Sequence, residues 1–343
     1  MKKALSVILV IALVLSCNTG KKNKIESISL KDTIFVKPEI LKLDKLLPGI
    51  NNLKIRDSFL MINSFDGKGY MLLFNKHNGK YITTKCLDGR GPGEFSSWID
   101  FRVTSDSIYI YDSPRNVLSI YNIDKFLHDS KVLADKQIKT EKDPRYIDLF
   151  PINGYLISRP SIKARFYLFD RNGKYISNYE SFPDYYKDAI SFEQKFELKL
   201  SYSVEPKPDL SKFVALSYIG GILEIFKVEK DSINRIIEKT FLNPELKIEG
   251  EKDIKQPDTK IGFYGIYTTD NYIYSPYSGL TTEDFRKLKS FEYITVFDWN
   301  GTLKKIYKVE GGLRALAADE AEGKIYVVTK DSEGVDAVGV IKM

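Results

Sequence analysis

One pattern recurs five times along the chain, and a sixth time in shortened form. A repeat of this kind restricts the fold more than any single motif does. Each copy is an apolar strand ending in Phe or Tyr, a short polar turn, and a second strand. MLLFNKHNGKYITTK covers residues 71–85, LSIYNIDKFLHDSKVL 118–133, FYLFDRNGKYISNY 166–179, LEIFKVEKDSINRI 223–236 and ITVFDWNGTLKKIYKV 294–309. Three of the turns carry Asn-Gly, the pair that suits a tight hairpin. Measured from the aromatic before the turn (Phe74, Tyr121, Phe169, Phe226, Phe297), the copies step by 47, 48, 57 and 71 residues. The last two steps are longer because links at 182–197 and 243–267 exceed the usual connection length.

Two further strands precede each copy. SFLMINS, SIYIYDS, YLISRP, KFVALSY and YIYSPY come directly before, and LKIRD, IDFRVTS, YIDLFP, LSYSVE and FYGIYTT before those. Each unit therefore holds four short strands, A to D, in an up-and-down meander, which is the mark of a β-propeller. The 22 Tyr and 20 Phe agree with strands, where flat side chains fit a pleated, half-buried surface. The sixth unit, LRALAADEAEGKIYVVTKDSEGVDAVGVIKM, yields only strands A to C. SISLKDTIFVKPEILKL, ahead of the first blade, belongs to no other unit. A ring left open exposes unpaired backbone groups, so the N-terminal strand is expected to supply the missing edge. The reading is all-β: a six-bladed β-propeller over residues 28–343, with four-stranded antiparallel blades and the last blade closed by the N-terminal strand. Helical periodicity appears only in short pieces such as 281–290.

The N-terminus carries different signals. MKK is a basic start, and ALSVILVIALVLS, residues 4–16, is an apolar run too short to span a bilayer as a helix. It suits a signal-peptide core. VLSC follows the pattern of a bacterial lipobox, with Val14 where Leu is commoner. The lipobox, the six blades and GRGPGEF at 89–95 together resemble the TolB-like six-bladed propeller lipoproteins of Bacteroidetes. The resemblance implies a signal peptide at 1–16, cleavage before Cys17 and lipid (palmitate) on its thiol. It also implies a membrane partner reached through the anchor, and the polar NTGKKNKIES after Cys17 reads as a flexible tether, 17–27. Family members exported to the surface often carry an acidic cluster beside the cysteine. NTGKKNKIES has none, which favours the outer membrane, facing the periplasm. The other reading is an ordinary signal peptide with an incidental cysteine. With Cys17 lipidated, Cys86 has no partner for a disulfide and reads as a small apolar strand residue. The formal charge of +6 is spread along the chain with no basic block, which argues against nucleic acid.

DGRGPGEF links strand D of blade 1, KYITTKC, to strand A of blade 2, WIDFRV. No helix follows it, so neither a P-loop nor a dinucleotide fingerprint fits. It reads as a structural corner or as a ligand contact. Arg90 and Glu94 can pair with each other or cap nearby backbone. Arg145 and Arg314 lie in two other D-to-A links. If Arg90, Arg145 and Arg314 converge, they form a cationic mouth over the channel, suited to carboxylate, phosphate or acidic glycans. The alternative is that each is solvated or paired with a neighbouring acid. Tyr185, Tyr186 and Tyr264, in the long links, can stack on sugar rings or pack as strand residues.

Catalytic signals are sparse. His77 and His128 both fall in C-to-D turns, too few for zinc and away from the channel. No GxSxG supports a triad. No cofactor is expected, although calcium is compatible with the many carboxylates. Glu94, Asp100, Asp148 and Asp319 lie near the strands where some six-bladed propellers hold a catalytic cation. The first reading is a non-catalytic module that binds a small anionic ligand, a glycan or an envelope protein at its loop or channel face. The alternative is a divalent-cation-dependent hydrolase or lactonase with its site at the channel mouth.

Overall fold

The computed structural model describes residues 25–96, 99–141, 146–160, 164–183, 202–243 and 258–343. The apolar N-terminal run, Cys17, most of the tether, Arg145, Tyr185, Tyr186 and the bulk of both long links lie outside them.

The described chain begins with two short strands, β1 (Ile34–Val36) and β2 (Glu39–Leu41). Blade 1 follows as β3 (Asn52–Arg56), β4 (Phe59–Asn63), β5 (Gly69–Asn75) and β6 (Tyr81–Leu87). Blade 2 is β7 (Ile99–Val103), β8 (Ser107–Asp112), β9 (Val117–Asn122) and β10 (Lys136–Ile138). Blade 3 is β11 (Tyr146–Ile152), β12 (Tyr155–Pro160), β13 (Phe166–Asp170) and β14 (Tyr175–Tyr179). Blade 4 is β15 (Tyr202–Pro206), β16 (Phe213–Ser217), β17 (Ile222–Glu229) and β18 (Ser232–Thr240). Blade 5 is β19 (Tyr267–Thr268), β20 (Tyr272–Tyr277), β21 (Phe291–Asp298) and β22 (Leu303–Leu313). Blade 6 has β23 (Ala315–Asp319), β24 (Lys324–Lys330) and β25 (Asp336–Lys342) from the C-terminal stretch. The five aromatics that mark the repeat are all buried. They fill the spaces between blades; Phe226, for instance, meets Phe166 of blade 3 edge-on at 5.4 Å between ring centres.

The sixth blade is completed as expected. β2 pairs antiparallel with β25, placing Glu39 opposite Val340 and Leu41 opposite Val338. Beyond that expectation, the N-terminal segment does more than close the ring. β1 adds a fifth strand to blade 5, parallel to β22. Ile25 bridges Thr240 at the edge of blade 4, and Glu26 N donates to Thr240 O at 2.8 Å. Tyr81 N of blade 1 donates to Asp44 Oδ1 at 2.6 Å. Residues 25–45 thus form a belt over the outer edges of blades 4, 5, 6 and 1, covering strands that would otherwise present unpaired N–H and C=O groups.

Two expected strands differ. The D strand of blade 2 does not follow β9 by a hairpin: α1 (Ile123–His128) intervenes, and the chain returns as β10. Asn122 caps the helix, its side chain accepting from Lys125 N at 3.0 Å. Ile123, Phe126 and Leu127 fall on one helical face and are buried against blade 1. In blade 5, FYGIYTT shrinks to the two residues of β19: Phe263 and Tyr264 still meet β20, but Gly265, at a left-handed φ of 69°, interrupts the ladder and donates to Ser203 Oγ of blade 4 at 3.0 Å. The helical piece foreseen near 281–290 is α2 (Thr282–Leu288), capped by Thr281.

The belt predicts a pH effect. Asp66 of blade 1 ion-pairs with Lys45 of the belt and accepts from Thr84 Oγ1 at 2.7 Å, Lys68 N at 2.9 Å and Gly69 N at 3.1 Å. Burial favours the neutral acid, but the bonds from Lys45, Thr84 and the two amides outweigh it and hold the carboxyl well below its ordinary range. The folded pKa is therefore below the unfolded value of about 3.9. The stabilisation is complete above that value and is lost as pH falls toward the folded pKa. Melting curves followed by circular dichroism are expected to shift down steeply below about pH 4, and Asp66→Asn is expected to flatten that slope. An unchanged slope in the variant would show that other acids govern the transition.

Candidate binding site

The first strands stand side by side around the axis, with β11 beside β15, β15 beside β19, β19 beside β23 and β23 beside β3. Blades 1 and 4 face each other across a six-fold ring. Lys54 of β3 and Glu205 of β15 form a buried ion pair, so this contact crosses the axis and closes it. Arg102 of β7 places Nε 2.8 Å from Glu205 Oε2, donates to Val204 O at 3.1 Å and pairs with Asp100. Asp148 of β11 receives Arg159 at 2.7 Å and lies 3.8 Å from Arg102. Burial works against the Arg102 charge, yet Asp100, Glu205 and Asp148 outweigh it and keep the guanidinium ionised. Three cations and three carboxylates thus plug the channel.

The four acids singled out in the sequence do not share a site. Asp100 and Asp148 belong to the plug. Asp319 pairs with Lys76 of blade 1, whose Nζ also lies 2.8 Å from Glu322. Glu94 folds into its own loop. A divalent cation at the plug would meet Lys54, Arg102 and Arg159, so this donor set does not fit one. Among the described residues no group of three His, Cys, Asp or Glu could hold a metal ion. His77 and His128 stand in C-to-D connections, as the repeat implied. His128 packs edge-on against Phe59 at 5.3 Å. Cys86 is buried in the core between blades 1 and 2.

GRGPGEF forms a braced corner. Gly89 N donates to Phe95 O at 2.9 Å, Phe95 N to Leu87 O at 2.8 Å, and Glu94 N to Gly91 O at 3.1 Å. Glu94 Oε2 accepts from Gly91 N at 2.7 Å. A Cβ on Gly89 would lie 2.1 Å from that same Oε2, so only glycine lets the carboxylate fold in. Arg115, from the β8–β9 turn, donates to Glu94 O at 2.7 Å and to Gly89 O at 2.6 Å. Phe95 is buried between blades 1 and 2. Of the two sequence alternatives for Glu94, capping is therefore the one realised. Arg115 was not visible as a partner: nothing in SPRN signals that its side chain ends on a loop 26 residues away.

The corner walls a cavity of about 640 Å³ whose other sides come from β9 and residues 133–137. Most charges around it are engaged. Asp112 faces Arg115 at 3.5 Å, Asp135 accepts from Asn122 N at 2.6 Å, and Lys136 donates to Arg171 O at 3.0 Å. Arg90 is exposed at its rim, with no ion pair or hydrogen bond among the described residues. Arg314 lines a different cavity, of about 220 Å³, together with Tyr264. It is paired with Asp336 and reaches Ile50 O at 3.4 Å. The structure therefore does not bring Arg90 and Arg314 together.

A family model described as TolB-like 6-blade propeller-like matches residues 31–321. No curated protein matches the chain. Among solved structures, a protein of Bacteroides fragilis NCTC 9343 described as exported is 14% identical with a TM-score of 0.58, over 89% of this chain and 94% of that one. A member of the DUF4221 family from Bacteroides vulgatus ATCC 8482 is 13% identical with a TM-score of 0.54, over 94% of this chain and 99% of that one. At these identities both likenesses are of fold.

Proposed function

The chain belongs to the TolB-like six-bladed propeller family, and from that premise we propose a lipid-anchored, non-catalytic binding module of the cell envelope that takes a small anionic ligand in the cavity under GRGPGEF. The observation that carries the reading is Arg90: a guanidinium with no partner among the described residues, on a loop fixed by Arg115 and Glu94, at the rim of a cavity of about 640 Å³. That volume is typical of small-molecule sites. A planar guanidinium matches carboxylate and phosphate oxygens in pairs, so small acids, phosphates and acidic glycans are the ligand classes. A rigid loop loses little freedom on binding, which favours affinity. The non-catalytic reading is supported by the axis, whose acids already face cations. VLSC and the apolar run before it support anchoring through Cys17 on the periplasmic side of the outer membrane. The exported description of one structural relative agrees with export.

The test is a melting scan of the chain from residue 17, with Cys17→Ser, against citrate, inorganic phosphate, sugar phosphates and uronic-acid oligosaccharides. A ligand at a hundredfold its Kd adds about 2.7 kcal/mol. That shift is expected to vanish in Arg90→Ala, with the ligand-free melting temperature unchanged because Arg90 braces nothing. No shift with any of these anions would overturn the small-ligand reading. The anchor is tested separately: Cys17→Ser is expected to move the protein from the membrane to the soluble fraction.

A further inference from the structure

We propose a second, independent site at the mouth of the plugged channel, where Tyr264 offers its ring to one face of a sugar and Asn51, Asn52 and Ser203 meet the hydroxyls. It lies in the cavity of about 220 Å³ and does not depend on the Arg90 site.

Tyr264 is an unusual tyrosine in this chain. It is 50% exposed, yet its ring plane is fixed. It stacks on Phe291 at 5.2 Å between centres with 11° between planes. Tyr218 meets it edge-on at 6.1 Å. Phe291 is itself held by Phe285 of α2 at 4.8 Å. An aromatic plane held by packing on one side and opening on a cavity suits the C–H face of a pyranose, because the electron-rich face attracts the positively polarised hydrogens. The loss of side-chain freedom on binding is already met by the packing.

The polar lining has matching chemistry. Asn51 is exposed; its backbone N donates to Asn63 O at 2.9 Å, while its side-chain amide makes no hydrogen bond among the described residues. It offers donors and an acceptor side by side, the pattern that pairs with two adjacent hydroxyls. Asn52 Oδ1 accepts from Leu53 N at 2.8 Å, leaving the NH₂ group to donate. Ser203 Oγ accepts from Gly265 N at 3.0 Å, which leaves its O–H as a donor and also fixes the backbone beside Tyr264. The nearest cation, Arg314, is engaged by Asp336. The site therefore combines a fixed aromatic plane, amide and hydroxyl groups and no unengaged charge, which fits a neutral sugar better than an anion. The volume suits one ring, with the open mouth admitting the rest of a chain.

The experiment is saturation-transfer NMR and calorimetric titration of the full chain in detergent with methyl glycosides of glucose, galactose and N-acetylglucosamine and their short oligosaccharides. Binding is expected for at least one series, with transfer strongest at the protons of one ring face. Tyr264→Ala is expected to weaken it about tenfold. Tyr264→Phe, which keeps the plane, should retain it, and Asn51→Ala should weaken it several-fold. Arg90→Ala should leave it unchanged. No binding of any glycoside, or binding indifferent to both Tyr264→Ala and Asn51→Ala, overturns the site. Binding lost in Arg90→Ala but kept in Tyr264→Ala also overturns it, while leaving the anionic-ligand reading standing.

Discussion

Glu224→Ala is expected to lower the unfolding free energy by about 3–5 kcal/mol. Glu224 has no solvent exposure and sits where blades 3 and 4 meet. Arg165 of blade 3 reaches it with both terminal nitrogens, one at 2.9 Å, and Arg235 of β18 reaches it at 3.2 Å. Arg165 is enclosed by aromatic rings, the nearest being Tyr202 at 4.6 Å. Burial disfavours its charge, and Glu224 is the main reason the guanidinium stays ionised. Truncating the acid leaves a buried cation with its principal partner gone, which costs far more than the intact pair contributes. Urea unfolding of Glu224→Ala, Arg165→Met and the combined variant measures this. The double variant Arg165→Met with Glu224→Leu should recover much of the loss, since it removes both charges together. A loss below about 1 kcal/mol in Glu224→Ala, the level of an exposed pair, would refute a buried latch.

Gly339→Val should detach the closing strand. Gly339 lies in β25 opposite Ile40 of β2. A Cβ there would come within 2.6 Å of Pro38 Cβ and 3.2 Å of Thr329 Cγ2. The belt can lie flat on blade 6 only because this position has no side chain. Overfilling such a contact costs about 1–3 kcal/mol, and here the cheapest relief is for the belt to lift. The exposed edge of β25 would then invite intermolecular pairing. The expected result is protease cleavage within 25–45, a lower melting temperature and concentration-dependent aggregation. Deleting residues 25–41 should do the same more severely. A variant with an intact belt and unchanged melting would mean that the ring does not rely on this strand.

Much of the architecture was legible because its causes are local. Strand alternation, Asn-Gly turns and the buried aromatic before each turn act over a few residues, so the five full copies can be read directly. The closing strand was legible for a different reason: a sixth blade one strand short, with an unassigned strand at the other end, has one obvious way to cover its edge. IDKFLH was misread because its helix is fewer than two turns long, too short for its period to stand out beside a strand repeat. What it packs against, blade 1, is distant in sequence.

The candidate sites were legible only in part. Arg90, Glu94, Arg314 and Tyr264 were named as residues, but their surroundings were not. Arg90 and Arg314 sit in equivalent D-to-A links, and the sequence could not say whether equivalent links aim their side chains alike. Arg314 is turned onto Asp336, and Glu94 onto its own loop. Those choices depend on which acids and amides the neighbouring blade supplies.

By itself, then, the sequence determined the number of blades, the four-strand unit and the way the ring closes, because periodicity and edge protection are short-range demands. Only the tertiary structure decided that the channel is plugged, that Arg90 has no partner among the described residues and that Tyr264 and Asn51 line one cavity. Those outcomes come from side chains on separate blades, such as Lys54 and Glu205, 151 residues apart, meeting across a ring whose geometry no local pattern encodes.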